Sequence, residues 1–235
     1  MISQELDLKI LVTGANRGLG LGFVNYYLNK GCQVIACIRN IDKSLYLNSL
    51  FKLHKDNLQI EILDVSKETS LTHFSKKVES LKFDIVINNA GICIEQNLGS
   101  WSSNTFEDIF KTNTIGVALF SQIILPLIKP HGKLINISSG LGSIALNINP
   151  EIGLDAYAMS KAALNSFSRR LANKVQSKKI IVLALSPGWV KTDMGGEEAT
   201  LTIDEAIFKL GIVIEKLTLK DNGKFLSENG EELPW

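Results

Sequence analysis

The chain has 235 residues, 45% of them apolar, enough for the core of one α/β domain or at most two small ones, and too apolar for intrinsic disorder. Its 25 basic and 24 acidic residues are well mixed and leave a formal charge of +1. No basic face points to nucleic acid or an anionic membrane, so a small or neutral partner is expected.

Met1-Ile2-Ser3-Gln4-Glu5-Leu6-Asp7 lacks a basic segment followed by a long apolar one, and no later apolar run reads as membrane-spanning; a soluble, cytoplasmic protein is expected. Short β-rich apolar runs then alternate with stretches of helical period. Lys9 to Val12 leads into a helix over Leu19 to Asn29, Gln33 to Cys37 follows, and Gln59 to Leu63 precedes a helix over Leu71 to Leu81. The series continues with a strand over Asp84 to Ile87, a helix over Phe106 to Ile128, a strand over Lys133 to Ile137, a helix over Tyr157 to Val175 and a strand over Ile180 to Leu185. Thr202 to Leu217 reads as a last helix, and Asp221-Asn222-Gly223 turns into a last strand, Lys224 to Leu226, before a turn at Asn229-Gly230.

Continuously apolar strands are buried on both faces, the condition of a parallel sheet. The series therefore predicts an α/β fold: a single doubly wound parallel sheet of Rossmann type flanked by helices on both faces. No repeat or linker divides it, so residues 1–235 read as one domain. Cys32, Cys37 and Cys93 fall in or beside apolar segments, and His54, His73 and His131 are scattered without ligand spacing; neither a disulfide nor a metal is expected.

The first strand runs into Thr13-Gly14-Ala15-Asn16-Arg17-Gly18-Leu19-Gly20. Glycines permit close backbone approach, and the start of the next helix offers free amides to a pyrophosphate. The spacing departs from the commoner dinucleotide fingerprint, which leaves a ligand-free tight turn as the competing reading. At the tip of the second strand, Ile38-Arg39-Asn40 brings no acid to take a free ribose hydroxyl. Arg39 and Arg17 suit a ribose phosphate instead, so NADP is expected over NAD. Tyr157 and Lys161, four residues apart, project from one helix face. A fixed positive charge near a phenol, whose free pKa is about 10, favours the phenolate and makes the tyrosine a usable acid and base. Alone, that pattern also fits a half-exposed tyrosine beside a solvated lysine.

In order along the chain, Thr13-Gly14-x-x-x-Gly18-x-Gly20, Asp64, Asn88-Asn89-Ala90-Gly91, Asn113, Ser139, Tyr157-x-x-x-Lys161 and Pro187-Gly188-x-x-x-Thr192 together resemble the short-chain dehydrogenase/reductase family. The run Pro187 to Gly196 and the ending Gly230-Glu231-Glu232-Leu233-Pro234-Trp235 are similar to its subgroup of C-factor and Sniffer-type carbonyl reductases. The resemblance implies NADP(H) as cofactor, Tyr157 as acid, Lys161 bonding the ribose and lowering the tyrosine pKa, and Ser139 donating to the substrate oxygen. It also implies that Asn113 bends its helix and holds a water linking Lys161 to solvent. Ser138 competes with Ser139, and Ser143 is a weaker candidate.

For the cofactor, the resemblance implies contacts from Gly14, Asn16, Arg17, Gly18, Leu19 and Gly20. Further contacts would come from Arg39, from Asp64 to the adenine amine with Val65 beside the ring, and from Asn88, Ala90 and Gly91 along the adenosine half. Pro187 and Gly188 would shape the loop over the nicotinamide, with Val190 and Thr192 reaching its carboxamide region. For Asp64, the Asn pair and Pro187-Gly188, plain loop or turn roles compete.

From Ser139 to Tyr157 the chain advances 18 positions, longer than in compact members, which predicts a loop over Ala145 to Asp155 at the substrate mouth. Its Leu146, Ile148, Ile152 and Leu154 either line a pocket or pin the loop. Specificity is expected from this loop, from Ile92 to Trp101 and from Asp193 to Thr200; Trp101 and Trp189 either face substrate or pack. The expected activity is NADPH-dependent reduction of a small aldehyde or ketone. A nucleotide-binding sensor or signalling protein with little turnover and a 3-oxoacyl thioester reductase are the alternatives. The resemblance also implies a homodimer or homotetramer through the helices that begin near Phe106 and Tyr157, with Leu233-Pro234-Trp235 docking on a neighbour or on its own domain.

Overall fold

The computed structural model describes residues 8–41 and 44–235; the reading of residues 1–7 as free of a targeting segment lies outside them. Among the described residues seven strands form one sheet: β1 (Lys9–Thr13), β2 (Gln33–Ile38), β3 (Leu58–Ile62), β4 (Phe83–Asn88), β5 (Ile128–Ile137), β6 (Ile181–Leu185) and β7 (Phe225–Leu226). Their order is β3-β2-β1-β4-β5-β6-β7, and each neighbouring pair is parallel.

Alternate residues of each strand serve opposite faces, and both faces are covered. Ile10, Val12, Val34, Ala36 and Leu183 pack with α1 (Gly18–Leu28), α2 (Leu45–Leu53) and α7 (Ile203–Lys216) through Phe23, Leu47, Leu210 and Ile214. Leu11, Ile35, Val86, Leu134 and Val182 pack the other way, against α3 (Glu68–Val78), α5 (Gly116–Ile124) and α6 (Asp155–Lys174) through Phe74, Phe120 and Leu171. This is the doubly wound α/β sheet. Each fully buried side chain of that size is worth about 1.5–3 kcal/mol, and Phe74 meets Phe120 ring to ring at 5.9 Å.

Several boundaries differ from expectation. The helix expected over Phe106 to Ile128 begins earlier as α4 (Ser103–Phe110), because the Ser102 hydroxyl caps it by accepting from the Thr105 amide. It widens to a π-turn at Lys111–Ile115 before continuing as α5. Its end is set by a 3₁₀ turn at Leu125–Leu127 carrying Pro126, after which Ile128 already pairs with Phe83 as strand. By length and composition alone Ser103–Leu127 is apolar enough to cross a membrane, a correction to the expectation that no run is. Half of its apolar window is buried, with Phe120 and Ile124 fully so in the core. Helix α2 lies outside the predicted series.

Candidate active site

The sheet order reverses between β1 and β4, and the crevice outside the carboxyl ends of such a pair is where doubly wound sheets bind ligands. β1 ends at Thr13 and β4 at Asn88. The Thr13 hydroxyl accepts from the amides of Asn89 and Ala90, both at 3.0 Å, and the Asn89 amide group donates to the Thr13 and Gly14 carbonyls. Asn89 is thus the buckle between the two loops, a role that single-sequence reading assigned only to a turn. Gly14 has φ +66°, and a Cβ there would stand 2.9 Å from Ala90 Cα. A Cβ on Gly20 would stand 2.2 Å from the Gly14 carbonyl oxygen. Arg17 is the extended N-cap of α1 and makes no side-chain cap, so the first amides of Gly18, Leu19 and Gly20 remain free to meet an anion. Asn16 lies half-buried in the same turn.

Past the tip of β2, Arg39 is exposed and its charge acts on Asp64. Burial works to raise the Asp64 carboxyl, but hydrogen bonds from the Ser66 hydroxyl (2.6 Å) and amide (3.1 Å), with Lys67 and Arg39 nearby, hold it below the usual aspartate range. Val65 is buried, and its carbonyl is so close to Gly116 that a Cβ there would come within 2.5 Å. Arg17 points elsewhere than expected: its guanidinium pairs with Asp193, in the loop after β6. Asn88 also departs from expectation. Its amide donates inward to Asn136 (2.7 Å) and Ser121 (3.3 Å), and Asn136 continues to Ser168, so its side chain belongs to a buried polar network instead of the crevice.

Beyond β5 the three serines separate by geometry. Ser138 is buried and donates to Asn165 at 2.6 Å, while Ser143 donates to the Pro234 carbonyl at 2.7 Å. Ser139 caps the short 3₁₀ turn Gly140–Gly142, and its hydroxyl is close enough to the Tyr157 phenol to act on its proton affinity. Tyr157 and Lys161, on adjacent turns of α6, are both buried. Lys161 Nζ donates to the Ile137 carbonyl at 2.8 Å, and a Cβ on Gly91 would lie 3.8 Å from it. Asn113, fully buried in the π-turn, accepts from the Ile92 amide (2.8 Å) and donates to the Ile92 carbonyl (2.9 Å) and to Ser160 (3.1 Å). Its side chain therefore fixes the strand-to-loop exit at Ile92.

Burial dominates the electrostatics. It lowers Lys161 to about 8 and raises Tyr157 well above its ordinary value, with Cys93 adding to the rise and the nearby Ser139 hydroxyl opposing it. The expected lowering of the phenol by Lys161 is thus reversed, because removing the phenolate from water outweighs what the neighbours return. Cys93, its thiol raised to about 11 by burial, is a member of this cluster that sequence reading took for a small hydrophobe. A lone cysteine in an apolar run carries no signal to the contrary.

Residues 9–201 match the short chain dehydrogenase family. The chain belongs to that family. It superposes on the NADPH-bound carbonyl reductase from chicken fatty liver with a TM-score of 0.89, 33% identity and coverage of 97% of this chain and 98% of that one. The carbonyl reductase Sniffer of D. melanogaster gives a TM-score of 0.90, 32% identity and coverage of 97% and 99%. The C-signal protein of Myxococcus xanthus is 32% identical over 165 residues, 69% of this chain and 98% of that protein.

In this short-chain dehydrogenase the loop after β6 closes toward the glycine turn. Gly188 has φ +77°, and a Cβ there would stand 2.9 Å from Leu201 Cδ1. Pro187 precedes it, and Val190 is buried and bridged to Leu201. Thr192 accepts from the Gly195 amide and lies against Gly18, where a Cβ would come within 3.5 Å of its methyl. Trp189 and Trp101 are half exposed, each with its indole N–H on a nearby carbonyl, Gly195 and Gln96 respectively. Ile148, Ile152 and Leu154, but not Leu146, help line a cavity of about 250 Å³ against α6 that includes none of Ser139, Tyr157 and Lys161, and Ile148 reaches over Gly140. A larger cavity of about 560 Å³, lined by Lys9, Gln33 and Phe51 at the amino ends of the strands, gathers none of the candidate catalytic groups.

Proposed function

We propose that this short-chain dehydrogenase is an NADPH-dependent carbonyl reductase acting on a small aldehyde or ketone. The observation that carries the reading is the meeting of Ser139, Tyr157 and Lys161 beside the free amides of α1, at the carboxyl edge of the sheet. The cradle fits a dinucleotide: side chains at Gly14 and Gly20 would fill the space that close backbone approach to a pyrophosphate needs. Gly14, Gly18, Leu19 and Gly20 would hold the phosphates, with Asn16 alongside, and Arg39 the ribose phosphate, joined by Arg17 on release from Asp193. Asp64 and Val65 would meet the adenine, Ala90 and Gly91 the adenosine half, and Pro187, Gly188, Val190 and Thr192 the nicotinamide end. When bound, NADPH supplies the hydride.

This chain's residues supply the rest. Ser139 donates to the carbonyl oxygen and holds it as charge develops there. The Tyr157 phenol, kept protonated by burial, is in the form needed to give its proton to that oxygen, and Lys161 steadies the resulting tyrosinate. Asn113 holds the Ile92 backbone beside them. A carbonyl panel followed at the nicotinamide absorbance tests the reading. Tyr157→Phe is expected to lose on the order of 10²-fold or more in kcat while still binding NADPH; full retention of turnover would sink it.

The likeness to the C-signal protein supports a second reading, a nucleotide-binding sensor or signalling protein, which instead expects tight NADPH binding with little turnover across a broad carbonyl panel. Assembly as a homodimer or homotetramer and a cytoplasmic setting accompany the first reading; mass in solution tests the former.

A further inference from the structure

The segment Glu231–Trp235 folds back on the chain and ends at the substrate mouth. Glu232 bridges antiparallel to Leu226, and the Leu233 amide donates to the Phe225 carbonyl at 2.8 Å, so the segment lies along the β7 edge of the sheet. The Trp235 ring stacks on fully buried Phe225, with centroids 5.6 Å apart and planes 29° apart. Its other contact is the Arg169 guanidinium, 5.4 Å from the ring, on α6, the helix that carries Tyr157 and Lys161.

From this floor two hydrogen bonds reach the mouth. The Trp235 carbonyl accepts from the Ala145 amide at 2.9 Å, and the Pro234 carbonyl accepts from the Ser143 hydroxyl at 2.7 Å. Ser143 in turn accepts from the Leu146 amide at 3.1 Å, and its own amide donates to Gly140 at 3.0 Å, closing the turn that Ser139 caps. At its far end the same loop is tied to the opposite wall, where the Gln96 amide donates to the Gly153 carbonyl at 2.8 Å.

We infer that Trp235 and Ser143 are positioning residues for carbonyl turnover: the Glu231–Trp235 segment sets the Ser139 turn and the 145–155 wall against α6. The inference rests on the carbonyl-reductase reading for its effect on rate, but the bonds it invokes are independent of that reading. The rival is an edge cover only, since a strand as short as β7 gains from having its open side occupied. An edge cover affects stability without affecting how substrate is held.

The full chain carrying Trp235→Ala, Trp235→Phe or Ser143→Ala separates the two. With NADPH saturating, Trp235→Ala is expected to raise carbonyl KM by about 5- to 20-fold, as small displacements of positioning groups do. Its NADPH affinity should stay within about 2-fold, and hydrogen exchange at the amides of Ala145 and Leu146 should quicken. Trp235→Phe keeps a ring on Phe225 and should restore most of the KM. Ser143→Ala, a smaller change that leaves the fold intact if Trp235→Ala does not fold, should move KM the same way. Unchanged KM and unchanged exchange, with only a lower Tm, would overturn the inference. If the wild type reduces no carbonyl, the functional reading fails on its own, and exchange at Ala145 and Leu146 still decides: faster exchange upholds the positioning and unchanged exchange overturns it.

Discussion

The Lys161 ammonium donates to the main-chain oxygen of Ile137 at 2.8 Å and stands 5.5 Å from the centre of the Tyr157 ring. Both groups are buried, and burial, not their mutual charge, sets their proton affinities, lowering Lys161 to about 8 and raising Tyr157. At neutral pH the pair is therefore a neutral phenol beside a charged amine. kcat/KM for reduction should be flat up to about pH 8 and fall above it, as Lys161 loses the charge that would steady the tyrosinate. A pH–rate profile of the free enzyme reads this limb directly. A profile flat to pH 10 or beyond would remove Lys161 from that role.

The same residue sets a stability trend. Its folded-state pKa of about 8 lies below the ordinary 10.5, so between those values the unfolded chain binds more protons and stability rises with pH. Below about pH 8 the full penalty of a buried charge is present. Lys161→Met should therefore raise Tm at pH 7, by about 2–4 °C for each kcal/mol relieved, and the gain should shrink as pH climbs toward 10.5. Thermal melts at pH 7 and at pH 10 test the sign.

Arg17 is shared with Asp193, whereas Arg39 lies beside Asp64 at the end of β2. Arg39→Ala should weaken NADPH by about 10-fold or more and leave NADH nearly unchanged. Arg17→Ala should cost less, and Asp193→Asn should tighten NADPH modestly by freeing Arg17, because an exposed ion pair is worth little by itself. Fluorescence titrations with both nucleotides at low and high salt check the ranking.

Gly20→Ala places a methyl 2.2 Å from the Gly14 carbonyl and 2.6 Å from the Asn89 amide nitrogen. The backbone must shift, at a cost of about 1–3 kcal/mol. NADPH affinity should fall by at least about 10-fold, since the turn that moves is the one meant to meet the phosphates. Calorimetric titration of the purified variant measures it.

Asn88→Ala deprives buried Asn136 of its donor and should cost about 1–3 kcal/mol in urea unfolding. Because the side chain faces the interior, NADPH affinity should change by less than about 2-fold. A large loss of affinity in a fully folded variant would return Asn88 to the crevice.

Most strands and the order of the site motifs were legible because continuous apolar runs and glycine turns are local patterns. Helix α2 was not, since its Leu45, Tyr46 and Leu53 are exposed and only Leu47 is buried; apolar residues that face solvent leave no helical period to read. The start of β5 was missed because Ile128 pairs with Phe83 ahead of a register shift, a long-range contact with no local mark. Among the site residues, the choice between Ser138 and Ser139 rested on family pattern until Asn165 was seen to take Ser138.

By itself the sequence determined the doubly wound α/β class, the glycine turn after the first strand and the tyrosine and lysine on one helix face, all consequences of spacing along a few turns of chain. Only the tertiary structure decided which polar side chains face the crevice and which are spent inside: Asn88 inward, Asn89 as buckle, Arg17 on Asp193, Ser143 on Pro234. It also decided that burial raises the Tyr157 phenol. The hydrogen-bond partners lie 47 to 176 positions away, and no local pattern encodes what those distant groups will bring.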